Sequence, residues 1–150
     1  MTDGPILFCY DGSDNADRAI EVTAGLLGSR RSVVLDVGPP LTAAESLATI
    51  SPVVPGAAFE DLNTADALTR ARAGAEHART AGFDADARAT IGAPTWEGIV
   101  DVAAEIDASV IVLGSRGLSG ARERLVGSVS HEVAEHSGRP VLIVPPARGA

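Results

Sequence analysis

The sequence predicts an α/β fold in which a mostly parallel sheet is built from successive strand and helix units. Short apolar runs bounded by turn residues alternate with longer amphipathic stretches, which is the pattern of such units. Residues 110–113 are apolar throughout, as expected for a strand that is covered on both faces. The 150 residues and 45% apolar content suit one three-layer domain, over residues 1–150, with a single core.

Capping and turn residues predict the first elements. Residues 6–10 form an apolar strand, and Ser13 or Asp14 can cap the helix that follows, which Gly28 ends. Residues 33–37 form the second strand. The helix between these strands is expected to bury the residues at helical spacing, namely Ala16, Ala19, Ile20, Ala24 and Leu27.

The second half of the chain continues the alternation. Residues 62–81 predict a helix stopped by Gly82, and residues 85–91 predict a weaker third strand. The face of this helix is expected to hold Leu62, Ala65, Leu68, Ala71, Ala75 and Ala78. Thr95 is the expected cap of the next helix, whose apolar face would be Trp96, Ile99, Val100, Ala103 and Ala104.

The last elements are a strand over 110–113, a helix over 128–137 and a fifth strand over 141–144. Pro140 and Pro145 flank the fifth strand and favour an edge position, because proline cannot donate to a sheet ladder.

Residues 38–61 break the alternation, with four prolines and no convincing long helix. Loops of this length inside compact domains are often functional or mobile. Two interpretations stay open, a lid over a site and a tolerated surface insertion.

The charge balance excludes several classes of protein. The formal net charge is −8, from 12 basic and 20 acidic residues, which argues against binding to nucleic acid or to a membrane surface. All 12 basic residues are arginine. Without lysine, Schiff-base chemistry on lysine and a lysine-dependent P-loop are both excluded.

The cysteine count and the hydropathy predict a cytoplasmic protein. Cys9 is the single cysteine, so no disulfide can form within the chain, and its apolar neighbours predict a core strand position. No apolar run has the length of a membrane span, and the first residues do not have the pattern of a signal peptide.

Two loops are candidates for a binding site, because open parallel sheets bind ligands at the carboxyl ends of their strands. The first loop, residues 11–14, follows strand one. The second, residues 114–128, follows strand four, and its glycines allow backbone amides to approach an anion. Ser128 and Ser130 open a helix whose first amides can bind phosphate. Two alternatives remain open: the glycines could serve only turns and packing, and Arg122 and Arg124, which with Arg116 could supply positive charge, could instead form a solvated face.

The spacing Gly114-x2-Gly117-x9-Gly127-Ser128, between a strand and a helix, resembles the ATP-binding signature of the universal stress protein family. Further likeness lies in Tyr10-Asp11-Gly12-Ser13, Gly92-Ala93-Pro94, Ser128-Val129-Ser130 and residues 140–144. The resemblance covers essentially the whole chain.

The resemblance implies a five-stranded parallel sheet in the order 3-2-1-4-5, similar to the Rossmann-like adenine nucleotide α-hydrolases. ATP, with magnesium, is expected beside strands one and four. Asp11, Gly12 and Ser13, with the backbone around Val37, would hold adenine and ribose. The phosphates would be held by Gly114, Ser115, Arg116, Gly117, Gly127, Ser128, Val129 and Ser130. The implied role is a nucleotide-dependent stress sensor or regulator.

Two rival functions use the same residues. One is an enzyme that slowly hydrolyses ATP or transfers a nucleotidyl group, with Asp11 orienting a metal or a water. The other is an interaction module that needs no ATP. The absence of an acid–base constellation speaks against the first, and the intact glycine spacing speaks against the second.

Other motifs fail on their spacing. A dinucleotide site needs G-x-G-x-x-G after strand one, where Asp11-Gly12-Ser13-Asp14 stands, so Asp36 is interpreted as structural. His131 and His136 do not form H-E-x-x-H, and no serine has the setting of a nucleophile elbow. We expect no metal site beyond the magnesium carried by ATP.

The fifth strand also predicts a homodimer. An apolar edge strand leaves backbone groups unpaired, and pairing with a second copy would satisfy them. The resemblance agrees, since universal stress proteins commonly dimerise through this strand. A covering helix or the residues after 145 could shield the edge instead.

Overall fold

The computed structural model describes residues 3–38, 56–92, 94–116 and 128–149. Strands and helices alternate through these residues, which confirms the predicted α/β class. The elements are β1 (Ile6–Cys9), α1 (Asp14–Leu27), β2 (Arg31–Gly38), α2 (Gly56–Thr80), β3 (Asp84–Ile91), α3 (Thr95–Glu105), β4 (Val110–Gly114), α4 (Ser128–His136) and β5 (Val141–Val144).

The five strands form one parallel sheet in the order β3-β2-β1-β4-β5. The strand order predicted from the family resemblance is therefore confirmed, as is the edge position of β5. In the register of the sheet, Phe8 of β1 lies between Val34 of β2 and Val112 of β4. The carboxyl ends of β1 and β4 are consequently neighbours.

Alternate residues of β1 point into two separate apolar layers, because successive side chains of a strand face opposite sides of the sheet. Ile6 and Phe8 pack with residues of α1 and α2, and Phe8 meets Phe83 edge to face at 5.1 Å between ring centroids. Leu7 packs on the other face with residues of α3 and α4. Helices on both faces thus cover the central strand.

Helix α1 begins and ends as predicted. The Ser13 hydroxyl oxygen accepts a hydrogen bond from the Ala16 N–H at 3.2 Å, so Ser13, not Asp14, is the cap. Gly28 ends the helix with φ +70°, a conformation that glycine adopts without strain. Leu27, expected in the core, is 41% exposed. It is the last residue of the helix.

Helix α2 begins at Gly56, so the expectation of no long helix over residues 38–61 is wrong for its last part. Residues 39–55, where the lid and the insertion were both considered, lie outside the described residues. The predicted face is also partly wrong, because Ala65 is exposed and Ala67 is buried. Gly74 explains this orientation, since a Cβ there would lie 2.8 Å from the Tyr10 ring.

Helix α3 differs from the prediction at its start. Pro94 is the cap, in an extended conformation, and Thr95 is the first helical residue. Pro94 has no side-chain donor or acceptor, so the helix begins without a capping hydrogen bond from a side chain. The buried face also differs, with Val102 inside and Ala104 exposed. In the described part of the chain, none of the helices has both the length and the apolar content needed to cross a membrane.

Candidate functional site

The two predicted loops leave the sheet side by side. Residues 11–13 follow β1 and residues 115–116 follow β4, and these two strands are paired in the sheet. Helix α4 runs opposite to the strands, because its last residue precedes the start of β5. Its N-terminus at Ser128 therefore points toward the same edge. The carboxyl edge at β1 and β4 is the place where ligands bind in such sheets.

The connection after β1 is a tight turn held by its own residues. Gly12 has φ +81°, which favours glycine, and the Ser13 N–H donates to Asp11 Oδ1 at 2.9 Å. This is an Asx turn, in which a carboxylate oxygen caps a backbone amide two residues ahead. Asp11 is half-buried. The turn places a carboxylate and the exposed Gly12 backbone at the edge of the sheet.

Val37 lies near the carboxyl end of β2, the strand beside β1 on the other side. Its side chain is closely packed, since a Cβ at Gly92 or at Gly98 would lie 3.2 Å from Val37 Cγ1. Gly98 belongs to α3, so Val37 faces the layer away from α1. This packing fixes the backbone of β2, which is the part of Val37 expected to meet a ligand.

A partly buried ion pair, which the sequence analysis missed, lies next to the first loop. Arg70 of α2 donates to Asp36 from Nε at 2.7 Å and from Nη2 at 3.3 Å. Asp36 is 3% exposed, and burial raises the pKa of its carboxyl, although Arg70 acts in the opposite direction. A Cβ on Gly12 would lie 3.7 Å from Arg70 Cδ. The structural role expected for Asp36 is thus to hold Arg70 beside the turn.

Residues that are far away in sequence hold the start of the connection after β4 through hydrogen bonds. The Ser115 N–H donates to the Val144 carbonyl at 2.9 Å, and Ser115 is buried. Asn15 Nδ2 donates to the carbonyl oxygens of Arg116 and Val144, each at 3.3 Å. The sequence analysis missed Asn15, because nothing in its local pattern marks a partner more than 100 residues away.

The first turn of α4 supplies the last predicted site residues. Ser128 is exposed, Val129 is half-buried against the layer formed with Leu7, and Ser130 is buried at 3% exposure. The first amides of a helix have no partner within the helix and form a site for anions. Gly117 and Gly127, with Arg122 and Arg124, lie outside the described residues.

Other reactive side chains stand apart from this edge or are held by neighbours. His131 pairs with Glu135 at 3.5 Å, and His136 pairs with Glu132 at 3.1 Å. Both histidines are exposed, as predicted, and His136 also stacks on Trp96 at 4.8 Å between ring centroids. Cys9 ends β1 and is partly buried, and burial raises the pKa of its thiol. A raised pKa lowers the thiolate fraction and hence the reactivity.

The strand order and the adjacent loops define a parallel α/β protein whose candidate site lies at the carboxyl edge of the sheet. A sequence model described as the universal stress protein family matches residues 4–145. The chain belongs to the universal stress protein family. Universal stress protein YxiE of Bacillus subtilis (strain 168) is 33% identical over 144 residues, which are 93% of this chain and 97% of the relative.

Two solved structures resemble the fold. Hypothetical protein MJ0577 has a TM-score of 0.78 and 24% identity, with 99% of this chain and 100% of that chain covered. A universal stress protein in complex with cAMP has a TM-score of 0.61 and 28% identity, with 95% of this chain and 96% of that chain covered. The likeness to MJ0577 concerns the fold, whereas the second structure also holds an adenine nucleotide.

Proposed function

We propose that this chain is a cytoplasmic ATP-binding protein that acts as a nucleotide-dependent sensor or regulator in a stress response. The observation that supports this most is the adjacency of the Asp11–Gly12–Ser13 turn and the end of β4, with the N-terminus of α4 pointing to the same edge. This edge offers a carboxylate for hydroxyl groups and helix amides for phosphates.

The proposed pose divides the nucleotide between the two connections. Adenine and ribose lie against Asp11, Gly12, Ser13 and the backbone at Val37. The phosphates lie against the chain from Gly114 to Gly117 and from Gly127 to Ser130. Magnesium arrives with the phosphates, whose oxygens are its usual ligands alongside water. The cAMP complex of the relative with 28% identity supports an adenine nucleotide as the ligand class.

Binding without rapid turnover fits the described side chains better than catalysis does. Asp11 Oδ1 already accepts the Ser13 N–H, and Asp36 is buried and paired with Arg70. Amides that cradle a ground-state phosphate do not by themselves lower a barrier. Slow hydrolysis or nucleotidyl transfer, with Asp11 orienting a metal or a water, is the alternative.

Calorimetric titration of ATP with magnesium tests the proposed function. We expect the wild type to bind and Gly127→Val to lose binding, because a side chain there would block the approach of the phosphate. Gly25→Val is the matched control, since Gly25 lies on the exposed side of α1 and a Cβ there meets nothing within 4 Å. Equal affinity of Gly127→Val and the wild type would refute the proposed phosphate site.

We also propose a homodimer through β5. This strand is at the edge of the sheet, and its residues 141–143 are only partly buried. The carbonyl oxygens of Pro140 and Val144 accept hydrogen bonds from Ile111 and Ser115. Because main-chain groups of successive residues point to opposite sides of a strand, the N–H groups of Val141 and Ile143 point away from β4.

Light scattering on Ile143→Pro tests this dimer, because proline at 143 removes an outward N–H and spares the ladder with β4. We expect the mass of two chains for the wild type and of one chain for this variant. Leu142→Pro removes an inward N–H, so its main effect should be on stability. A wild-type mass of one chain would exclude the dimer, and a dimeric Ile143→Pro would place the interface elsewhere.

A further inference from the structure

Helix α1 holds the main chain beyond the ends of two strands. Asn15 Nδ2 donates to the Arg116 carbonyl after β4 and to the Val144 carbonyl at the end of β5. One turn further along the helix, Arg18 Nε donates to the Pro145 carbonyl at 3.0 Å. Both of the first two acceptors are carbonyl oxygens, so the amino group of the Asn15 amide must face them. The side chain therefore acts as a double donor between two strand ends.

Gly114, the first glycine of the phosphate-loop spacing, lies directly against this amide. A Cβ at Gly114 would lie 2.1 Å from Asn15 Nδ2 and 3.0 Å from Asn15 Cγ. Gly114 does not have a positive φ, so its conformation is open to other residues. Space is the reason for glycine here. The amide could move away from a new Cβ only by giving up its hydrogen bonds to the two carbonyl oxygens.

We propose that Asn15 is a positioning residue for the nucleotide site, and that position 114 requires glycine because the Asn15 amide occupies the space of a Cβ. The inference rests on the proposed ATP binding. Asn15 fixes the point at which the chain leaves β4, through the carbonyl of Arg116. Binding groups displaced by about 1 Å can lose much of their effect, so a fixed exit point keeps the loop amides in place for a ligand.

The hydrogen bonds of Asn15 favour this role over simple filling of the core. Its Oδ1 is buried and finds no hydrogen-bond partner among the described residues. A buried acceptor without a partner disfavours the folded state. If Asn15 only filled space, an apolar side chain of similar size could replace it. Such a side chain could not donate to the two carbonyl oxygens.

A double-mutant cycle tests the contact between the two residues. The four proteins are the wild type, Asn15→Ala, Gly114→Ala and the double variant, and the readouts are the melting temperature without ligand and the affinity for ATP with magnesium. We expect Gly114→Ala to weaken ATP binding about tenfold when Asn15 is present, and about twofold or less when it is introduced into the Asn15→Ala variant. Of the three atoms nearest to a Cβ at Gly114, only the Asn15 carbonyl oxygen, at 3.2 Å, is still present in the double variant, and a small shift relieves that contact.

Asn15→Leu separates the two hydrogen bonds from the space that the side chain fills. Leu has the branching and approximate size of Asn, so this variant should fold, but it has no donor for the carbonyl oxygens of Arg116 and Val144. We expect its ATP affinity to fall about as far as that of Asn15→Ala, roughly tenfold. Gly25→Ala, in the same helix with no neighbour within 4 Å, should leave the affinity unchanged.

Three results would overturn the inference. Wild-type affinity in Asn15→Ala and Asn15→Leu, with lowered melting temperatures, would make Asn15 purely structural. Additive effects of Asn15→Ala and Gly114→Ala would refute the steric reason for Gly114. A wild type that binds no ATP would remove the proposed function and the positioning role with it, whereas the cycle in melting temperature would still decide whether Gly114 makes room for Asn15.

Discussion

The connections after β1 and after β4 leave neighbouring strands, yet they are held in different ways. In the β1–α1 connection, residues close in sequence hold one another. The Ser13 N–H donates to Asp11, and the Ser13 hydroxyl oxygen accepts from the Ala16 N–H. These two contacts involve only the turn and the first residues of α1.

The start of the β4–α4 connection is held by contacts with remote parts of the chain. The Ser115 N–H is bound by the carbonyl of Val144, and the Arg116 carbonyl is bound by Asn15, 101 residues earlier. These contacts exist only when α1, β4 and β5 are all in place. The first half of the proposed site is therefore a local structure, and the start of the second half depends on tertiary packing.

Substitutions should therefore affect the two connections over different distances along the sequence. A change within the first turn should alter that turn alone, whereas the start of the second connection should respond to changes in α1 and β5. Arg70 and Ser13 both lie at the first connection. Arg70 makes a long-range contact with Asp36 beside the turn and Ser13 makes a local one within it, so their variants compare contacts of the two ranges at one place.

The largest effect is expected from Arg70→Ala, which removes the tertiary support beside the first turn. It leaves Asp36 buried without its partner, and we expect a loss of about 2–3 kcal/mol in unfolding free energy at neutral pH. This figure is below that for fully buried pairs, because the Arg70 side chain is 39% exposed and solvent weakens the interaction. Denaturant unfolding measures it, and Arg72→Ala, exposed on the same helix, should change stability by less than about 0.5 kcal/mol.

The loss in Arg70→Ala should shrink as the pH falls from 7 toward 5. Burial already raises the pKa of Asp36 in the folded protein, and removal of Arg70 should raise it further. A folded-state pKa above the unfolded value means that ionisation disfavours folding, so stability is gained below that pKa and lost as the pH rises through it. A loss that stays constant across this range would contradict the assignment to Asp36.

A smaller effect is expected from Ser13→Ala, which breaks the local cap of α1. The expected loss is about 1 kcal/mol, because the Ala16 N–H loses its side-chain acceptor. Ser13→Asp is the control, since Asp is an equally good cap and should retain stability to within about 0.5 kcal/mol. Equal stability of Ser13→Ala and the wild type would mean that the turn does not depend on this hydrogen bond.

The difference between local and long-range contacts also explains which features could be predicted from the sequence. The cap at Ser13, the stop at Gly28 and the edge position of β5 follow from residues within a few positions, and all three are confirmed. The Asp36–Arg70 pair and the contacts of Asn15 join residues 34 to 129 positions apart. No local pattern carries that information.

Helix α2 shows a second reason why a prediction was wrong, here the prediction of its buried face. Alanine occurs on several of its sides, at 65, 67, 71, 73, 75 and 78, so the apolar pattern hardly distinguishes one face from another. The orientation is set by the close approach of Gly74 to Tyr10 and Val34, where a Cβ would lie within 2.9 Å of both side chains. This constraint appears only when the sheet is present.

The central claim is that the two connections form one nucleotide site, and backbone amide NMR during an ATP titration tests it most directly. We expect the Gly12 and Ser13 amides and the Ser115, Arg116 and Ser128 amides to shift together, with one common dissociation constant. Glu135, in the last turn of α4, and Gly138, beyond its end, should shift little. Shifts confined to one connection, or two connections with different dissociation constants, would contradict the account.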